Sequence, residues 1–538
     1  MPVGYFSLIL HAHLPFVRHP EYPEFLEEDW LYEAITEVYL PLVFILQNLH
    51  EAGAAPRVAI NVSPPLSEML ADELLQTRYT RHLENLAELA DKEVVRTRSE
   101  AAEFSDVAKM YADNLRHSLY LWNDRYKRDL ISAFRKLQDN GVLEIITCGA
   151  THGFLPLIST PEAQNAQVKI AVDNYKKHFR RQPRGIWLPE CAYEPGIETF
   201  LKANGIEYFI SDTHAIVYGD PRPKYGVHAP VVCPNGVGVF ARDVETSRQV
   251  WSAEIGYPGN DLYREFYRDI GWDLPHEYLK PHLHEDGNRR HLGLKYHRIT
   301  GRDVPQQLKQ PYLPTLATQK AAENASHFIG ERIKQAHTLR QTFDGHPPLV
   351  VSPYDAELFG HWWFEGPQFI DFLFRKLHWD QNEIAAVTPG DFLDSGIPIQ
   401  IQQPTASSWG ESGYYKVWLN EKNSWMYPYQ HDAERRMTGA AERFSKPKSL
   451  GETSERVLKQ MARELLLAQS SDWAFQIYQG TTVEYSSLRF QSHIHRFDLL
   501  AQLLDADGVN DDLLSEIEAR DNIFNEIDPW VYCSSQNA

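Results

Sequence analysis

Cysteine is scarce. Four residues in 538, Cys148, Cys191, Cys233 and Cys533, lie far apart, with no CxxC pair and no framework density. That spacing excludes a disulfide-stapled fold and reads as free thiols in a reducing compartment. Long apolar runs are missing too, and no stretch approaches the length of a membrane span. The opening MPVGYFSLILHAH has no basic n-region and only a short apolar run, so it reads as a buried strand and not as a signal peptide. A cytoplasmic location is the expectation. Basic charge is likewise in deficit. The formal net charge of −20 argues against a nucleic-acid-binding surface, since phosphates require a basic stripe. It suits a neutral polymer, which needs no electrostatic steering, and solubility alone would also account for it. There is no internal repeat and no low-complexity tract.

Aromatic residues, by contrast, are plentiful, with 13 Trp and 27 Tyr. A large core accounts for most of them. Trp and Tyr also serve as platforms for sugar rings, whose C–H faces pack on aromatic faces. The chain is too long for one ordinary domain, and a large barrel with appended units is the natural reading.

Short apolar runs recur at 5–10, 57–62, 143–148, 185–188, 207–210, 237–241 and 349–352, with helical segments between them. Continuous apolar strands suit a parallel sheet covered on both faces, as a barrel or a doubly wound sheet. Three-and-four spacing of apolar positions predicts helices over 66–90, 100–139 and 315–343. Another is predicted over 161–180, with Thr160 as its cap and Pro161 in its first turn. Segments 261–311 and 396–430 read as long loops, which in a compact enzyme are usually functional. From about 432 the pattern turns all-helical.

Chemically capable residues sit directly after the apolar runs. The first run ends in His11-Ala-His13, the third in Thr151-His152, the fourth in Pro189-Glu190-Cys191, the fifth in Asp212-Thr-His214 and a late one in Tyr354-Asp355-Ala-Glu357. In β/α barrels the C-terminal strand ends share one rim, where catalytic groups gather. Glu190 lies among aromatics, which would desolvate it and raise its pKa; a buried Glu paired with Arg is the plainer account. Asp355 could equally be a helix cap. Two carboxylates on one rim are what glycosidic-bond chemistry requires. A metal-dependent hydrolase is the competing class, with His11 and His13 joined by His152, His214 and Asp355. Glu190 on an aromatic strand end argues against it, because such a hydrolase does not need that residue. A non-catalytic carbohydrate-binding scaffold is a third class, which the acid-bearing rim disfavours. His276, His282, His284 and His291 read as solvated loop residues.

At these positions the sequence closely resembles glycoside hydrolase family 57, and within it the α-1,4-glucan branching enzymes. The likeness runs in order through HAHLPFVRHP, ATHGFLPL, WLPECAY, SPYDAELFGHWWFEGP, SSWGESGYYKVWLNEKN and LLLAQSSDWAF. It implies Glu190 as nucleophile and Asp355 as acid/base. It implies sugar contacts from Arg242, Gly259, Asp472, Trp251, Trp409, Trp418 and Trp30, and His11, His13 and His152 fit as partners for sugar hydroxyls. Tyr225 in PKYG matches a loop Tyr associated with branching as opposed to hydrolysis. The implied fold is α/β, an incomplete (β/α)7 barrel over 1–400. It carries a helical insertion at roughly 66–140, and an all-helical C-terminal domain over 401–538 reaches the cleft. No metal or other cofactor is implied. The implied partner is α-glucan, with no nucleic acid or membrane. The implied reaction is retaining transfer of α-1,4 chains to 6-hydroxyls, as in glycogen biosynthesis. The alternatives within the family are an α-amylase and a 4-α-glucanotransferase.

Overall fold

All seven apolar runs form strands in the computed structural model, which describes residues 2–252, 255–444, 451–505 and 510–534. We number them β1 (Gly4–Ala12), β2 (Val58–Val62), β3 (Leu143–Ile146), β4 (Gly185–Trp187), β5 (Tyr208–Ser211), β6 (Gly238–Ala241) and β7 (Leu349–Asp355). They pair in parallel as β7-β1-β2-β3 and as β4-β5-β6. A bridge from Thr147 to Ile186 joins the two sheets. Between β6 and β7 the closure is a hydrogen bond from Asp243 N–H to Val351 O at 2.9 Å. The result is an incomplete seven-stranded barrel in a helix-rich chain.

Side-chain parity explains how the barrel makes a site. Ile9, Ala59, Trp187, Tyr208, Ile210, Phe240, Leu349 and Val351 pack together inside it. Leu8, Leu10, Ile60 and Phe209 join the separate core beneath the helices. Successive side chains alternate between faces, so each inward column continues two residues on. On β1 the residue after Ile9 in that column is His11, and on β2 Asn61 follows Ala59. On β7 Val351 leads through Pro353 to Asp355. The register sets His11 between Asn61 and Asp355. The interior is thus apolar below and polar at its C-terminal rim.

Helices cover the strands. The crossover from β2 to β3 carries helices Pro64–Ala71, Glu73–Glu100, Ser105–Leu119 and Leu130–Asp139. Helix Pro161–Phe179 begins as expected, with the Thr160 hydroxyl accepting from Ala163 N–H, and Pro314–Thr342 forms the long helix before β7. The last part of the chain is helical over Tyr427–Arg443, Glu452–Ala468, Ser471–Gln479, Val483–Asp505 and Asp511–Arg520. Residues 445–450, 506–509 and 535–538 of that part lie outside the described residues.

Segment 261–311 has only short helical turns, yet its histidines are not all solvated. His282 is buried, its Nδ1 2.7 Å from Asn85 Oδ1 and its Nε2 3.0 Å from Lys92 Nζ, while His284 Nε2 lies 3.4 Å from Asp29 Oδ1. The segment packs onto helix Glu73–Glu100, and a polar composition does not reveal such packing. Among the described residues, no helix is long and apolar enough to cross a membrane.

Candidate active site

Glu190 follows β4 in a tight turn. It takes a left-handed backbone, φ 62, and Cys191 repeats this at φ 50. Neither residue gains from that conformation, so the surroundings must impose it. Trp409 N–H donates to Glu190 O at 2.9 Å, and Cys191 N–H donates to Leu188 O at 2.8 Å. The turn aims the carboxyl inward, where it is 7% exposed. Ser471 Oγ donates to Oε1 and Trp409 Nε1 to Oε2, each at 2.7 Å. Burial pushes the carboxyl up to about 7, against the pull of these two donors. Trp409→Phe keeps an aromatic side chain but removes the donor. The expected result is a rise of about one pH unit in the acid limb of kcat/KM, read from a pH–rate profile.

Asp355 ends β7 beside His11. Burial, then the charges of Glu357 and Glu190, drive its pKa well above the ordinary range, and Arg242 opposes them. Arg242 is held by Asp212, Nη2 to Oδ2 at 2.5 Å. Glu357 is also raised, to about 7, by burial. It accepts from Tyr39 Oη at 2.5 Å and from His13 N–H at 3.2 Å.

The histidines form one stack. His11 lies flat on Trp187, with ring centroids 4.5 Å apart, and His13 stacks on His152 at 3.9 Å. His13 Nε2 meets Asp472 Oδ2 at 3.0 Å, and its Nδ1 meets Ser63 Oγ at 2.8 Å. Burial opposes a charge on either member of the pair. Their mutual attraction outweighs it, raising His13 and lowering Asp472. His11 Nδ1 lies 2.6 Å from Asn61 Oδ1, and its Nε2 lies 3.0 Å from His152 Nε2. His152 Nδ1 lies 2.8 Å from Ser471 Oγ.

Every ring nitrogen of His11, His13 and His152 therefore already has a protein partner. His13, His152 and Asp472 bring ligand-type atoms within 4.8 Å of one another. Two of those atoms are spent on the His13–Asp472 pair. His214 stands apart, its Nε2 2.6 Å from Gly413 O. The set that the HxH spacing allows is thus built as a hydrogen-bonded cluster and not as a ring of free ligands.

The remaining sequence candidates scatter more widely. Trp251 closes helix Val244–Trp251, which leaves β6 just after Arg242, and is 41% exposed. Gly259 follows in the turn Tyr257–Gly259. Trp30, in the excursion after β1, sets its edge on Tyr485 at 5.8 Å. Trp418 corrects an expectation. At 1% exposed and packed on Phe154 at 5.0 Å, it lies inside the wall and offers no open face to a sugar.

Tyr225 is a second correction. After Asp212 at the rim, the chain descends antiparallel to the segment that climbs from Gln403 to Trp409. Ala215 O meets Thr405 N–H, Asp220 pairs with Gln403, and Lys224 N–H donates to Gln400 Oε1. Tyr225 stacks on His346 at 3.9 Å, just before β7 begins. Asp355 ends the same strand, six residues beyond Leu349, which is about 20 Å of extended chain. Tyr225→Ala is therefore expected to leave the ratio of new branches to new reducing ends unchanged on amylose.

Asn61, Ser471, Tyr39 and Trp187 join the site unannounced by the sequence, whereas Asp212 and Glu357 are among the rim residues that follow its apolar runs. Asn61 and Trp187 end inward columns, so strand parity was the available signal. Ser471 lies inside the SSDW motif, next to Asp472. Tyr39 carried no signal, since it comes from a π-helical turn, Ile35–Tyr39, remote in sequence.

Comparisons with known proteins identify the family. The profile of glycosyl hydrolase family 57 matches residues 7–348, and that of the 1,4-alpha-glucan branching enzyme C-terminal region matches 429–532. A 1,4-alpha-glucan branching enzyme of Thermococcus kodakarensis is 34% identical, over 99% of this chain and 79% of its own. Among solved structures, the novel alpha-amylase AmyC of Thermotoga maritima is 42% identical at a TM-score of 0.92, covering 99% of each chain. The GH57-type branching enzyme of Pyrococcus horikoshii is 34% identical at 0.88, covering 100% of this chain and 98% of its own. The match to most of the barrel, together with full-length likeness at such identity, decides the assignment: the chain belongs to glycosyl hydrolase family 57.

Proposed function

We propose that this chain is a retaining α-glucan branching enzyme, with Glu190 as nucleophile and Asp355 as acid and then base. One observation carries the reading. A buried carboxyl hydrogen-bonded to Ser471 and Trp409 and a second with a raised pKa are electrostatically coupled at one barrel rim. Glu190 attacks the anomeric carbon of an α-1,4-linked glucose while Asp355 protonates the departing oxygen. The glucosyl–Glu190 ester forms with inversion. Asp355 then removes the proton from an incoming 6-hydroxyl, and a second inversion leaves an α-1,6 branch. Net retention calls for carboxyls about 5–5.5 Å apart.

The units divide the work. The barrel, 1–400, carries both carboxyls, and the helical unit, 401–538, contributes Trp409, Ser471 and Asp472. Arg242 and Asp472 line the cleft as partners for sugar hydroxyls, whereas His11, His13 and His152, expected in that role, spend their ring nitrogens on one another and on Asn61, Ser63, Ser471 and Asp472. Trp30, Trp251 and Gly259 belong to the outer path of the glucan. A cytoplasmic role in glycogen synthesis is consistent with this chemistry.

Hydrolysis is the second reading, favoured by the likeness to a protein described as an alpha-amylase and by the remote position of Tyr225. Likeness to branching enzymes over the whole chain and in the C-terminal unit favours transfer. The two reactions differ only in which hydroxyl reaches the ester, and an acceptor cleft that restricts water favours branching. Incubation with amylose separates them. New α-1,6 linkages are expected to outnumber new reducing ends, and a surplus of reducing ends would assign the chain as an amylase.

A further inference from the structure

A row of hydrogen bonds runs from the second strand of the barrel to the nucleophile, and its donors can be ordered atom by atom. Asn61 Nδ2 donates to Ile146 O at 3.3 Å, so its Oδ1 is the acceptor toward His11. His11 must then carry its proton on Nδ1. Burial, and after it the charge on His13, holds His11 and His152 well below the usual imidazole range, so both rings are neutral. A neutral His11 protonated on Nδ1 has a bare Nε2, and His152 must supply the proton between the two Nε2 atoms. His152 is thereby left with a bare Nδ1, which faces Ser471 Oγ at 2.8 Å. Ser471 has one hydroxyl proton, and both His152 Nδ1 and Glu190 Oε1 lie within reach of it. If Ser471 donates to His152, every member is satisfied only when Glu190 is protonated and donates to Ser471 Oγ.

We infer that Asn61, His11, His152 and Ser471 form a proton relay whose direction sets the ionisation of Glu190. These four are positioning residues for that carboxyl, and the inference rests on the reading of Glu190 as nucleophile. When Glu190 ionises, its proton passes to Ser471 Oγ and the Ser471 proton passes to His152 Nδ1. The His152 Nε2 proton then passes to His11 Nε2. One proton has moved, every hydrogen bond survives with its direction reversed as far as His11, and His11 is an imidazolium still bonded to Asn61. Burial and the neighbouring His13 disfavour that cation, so the resting proton stays on Glu190. Burial of Glu190 itself favours the same protonated form. The charged and titratable groups facing Glu190 are Asp472 and His13, which pair with each other, together with Asp355, His152, Cys148 and Cys191. Neither cysteine is ionised, because burial raises both well above their ordinary value.

The test is a pair of substitutions whose through-space and through-relay effects have opposite signs. In Asn61→Asp, a carboxylate beside His11 stabilises the imidazolium and draws the proton off Glu190. The acid limb of kcat/KM is expected to fall by about one pH unit, a tenfold gain at a pH on that limb. In Ser471→Ala the relay is cut, and adding Asn61→Asp is expected to move the limb no further down. A bare negative charge acting through space would instead raise the limb in both backgrounds. An upward shift, no shift, or an equal downward shift in both backgrounds overturns the relay. Neutron diffraction of the substrate-free wild-type protein at about pH 6 supplies a readout that does not depend on a variant folding. Deuterium is expected on His11 Nδ1, His152 Nε2 and Glu190, and deuterium on His152 Nδ1 with a bare Nε2 overturns the assignment. Loss of the nucleophile reading would show separately, as an active Glu190→Gln enzyme with the wild-type proton positions unchanged.

Discussion

Glu190→Gln is expected to cut turnover on amylose by about four orders of magnitude or more, with an intact fold. An amide cannot displace a glycosidic oxygen to form a stable ester. The remaining groups can still bind glucan and donate a proton, so KM should change far less than kcat. The fold survives because the substitution is isosteric and introduces no buried charge. The hydrogen bonds survive as well, since the new amide nitrogen can donate to Ser471 Oγ, which donates to His152 Nδ1, while the amide oxygen accepts from Trp409 Nε1. Circular dichroism and a thermal melt check the fold, and single-turnover rates check the chemistry. Turnover within tenfold of wild type would remove Glu190 from the nucleophile role.

Asp355→Asn is expected to cost about two to four orders of magnitude on α-glucan, with a pattern of its own. The first step loses its acid, and a substrate whose leaving group needs no proton should recover most of that step. The second step still lacks its base, so the glucosyl ester should accumulate on Glu190 and appear by mass spectrometry on the peptide containing it. The pH profile carries the same information. Burial, then Glu357 and Glu190, hold Asp355 protonated above its ordinary range. As the acid it must be protonated, so its titration forms the alkaline limb and Asp355→Asn should abolish that limb. Glu190 must be ionised, so its titration near 7 forms the acid limb, which should remain. An unchanged alkaline limb would place the acid elsewhere, and Glu357 would be the next residue to test.

Much of the barrel is legible in the sequence itself. Seven apolar runs became seven strands because a parallel strand covered on both faces must be apolar along its whole length. The helix at Pro161 was equally plain, since its cap and first-turn proline are local chemistry. Both carboxyls could be picked because they directly follow apolar runs, and a strand end is a property of the chain near that point. The solvated reading of the 276–291 histidines failed for the opposite reason. His282 is covered by a helix that lies about two hundred residues earlier in the chain.

Residue types in order along the chain therefore determined the strands, the rim and the two acids, because backbone propensity and the apolar pattern act over a few residues. Tertiary structure alone decided which neighbours each acid has. Ser471 and Trp409 reach Glu190 across sequence separations of 281 and 219, Trp418 sinks into the wall and Tyr225 is carried to the far end of the barrel. Burial and donor geometry set a carboxyl's ionisation, and both arise only when distant segments pack together.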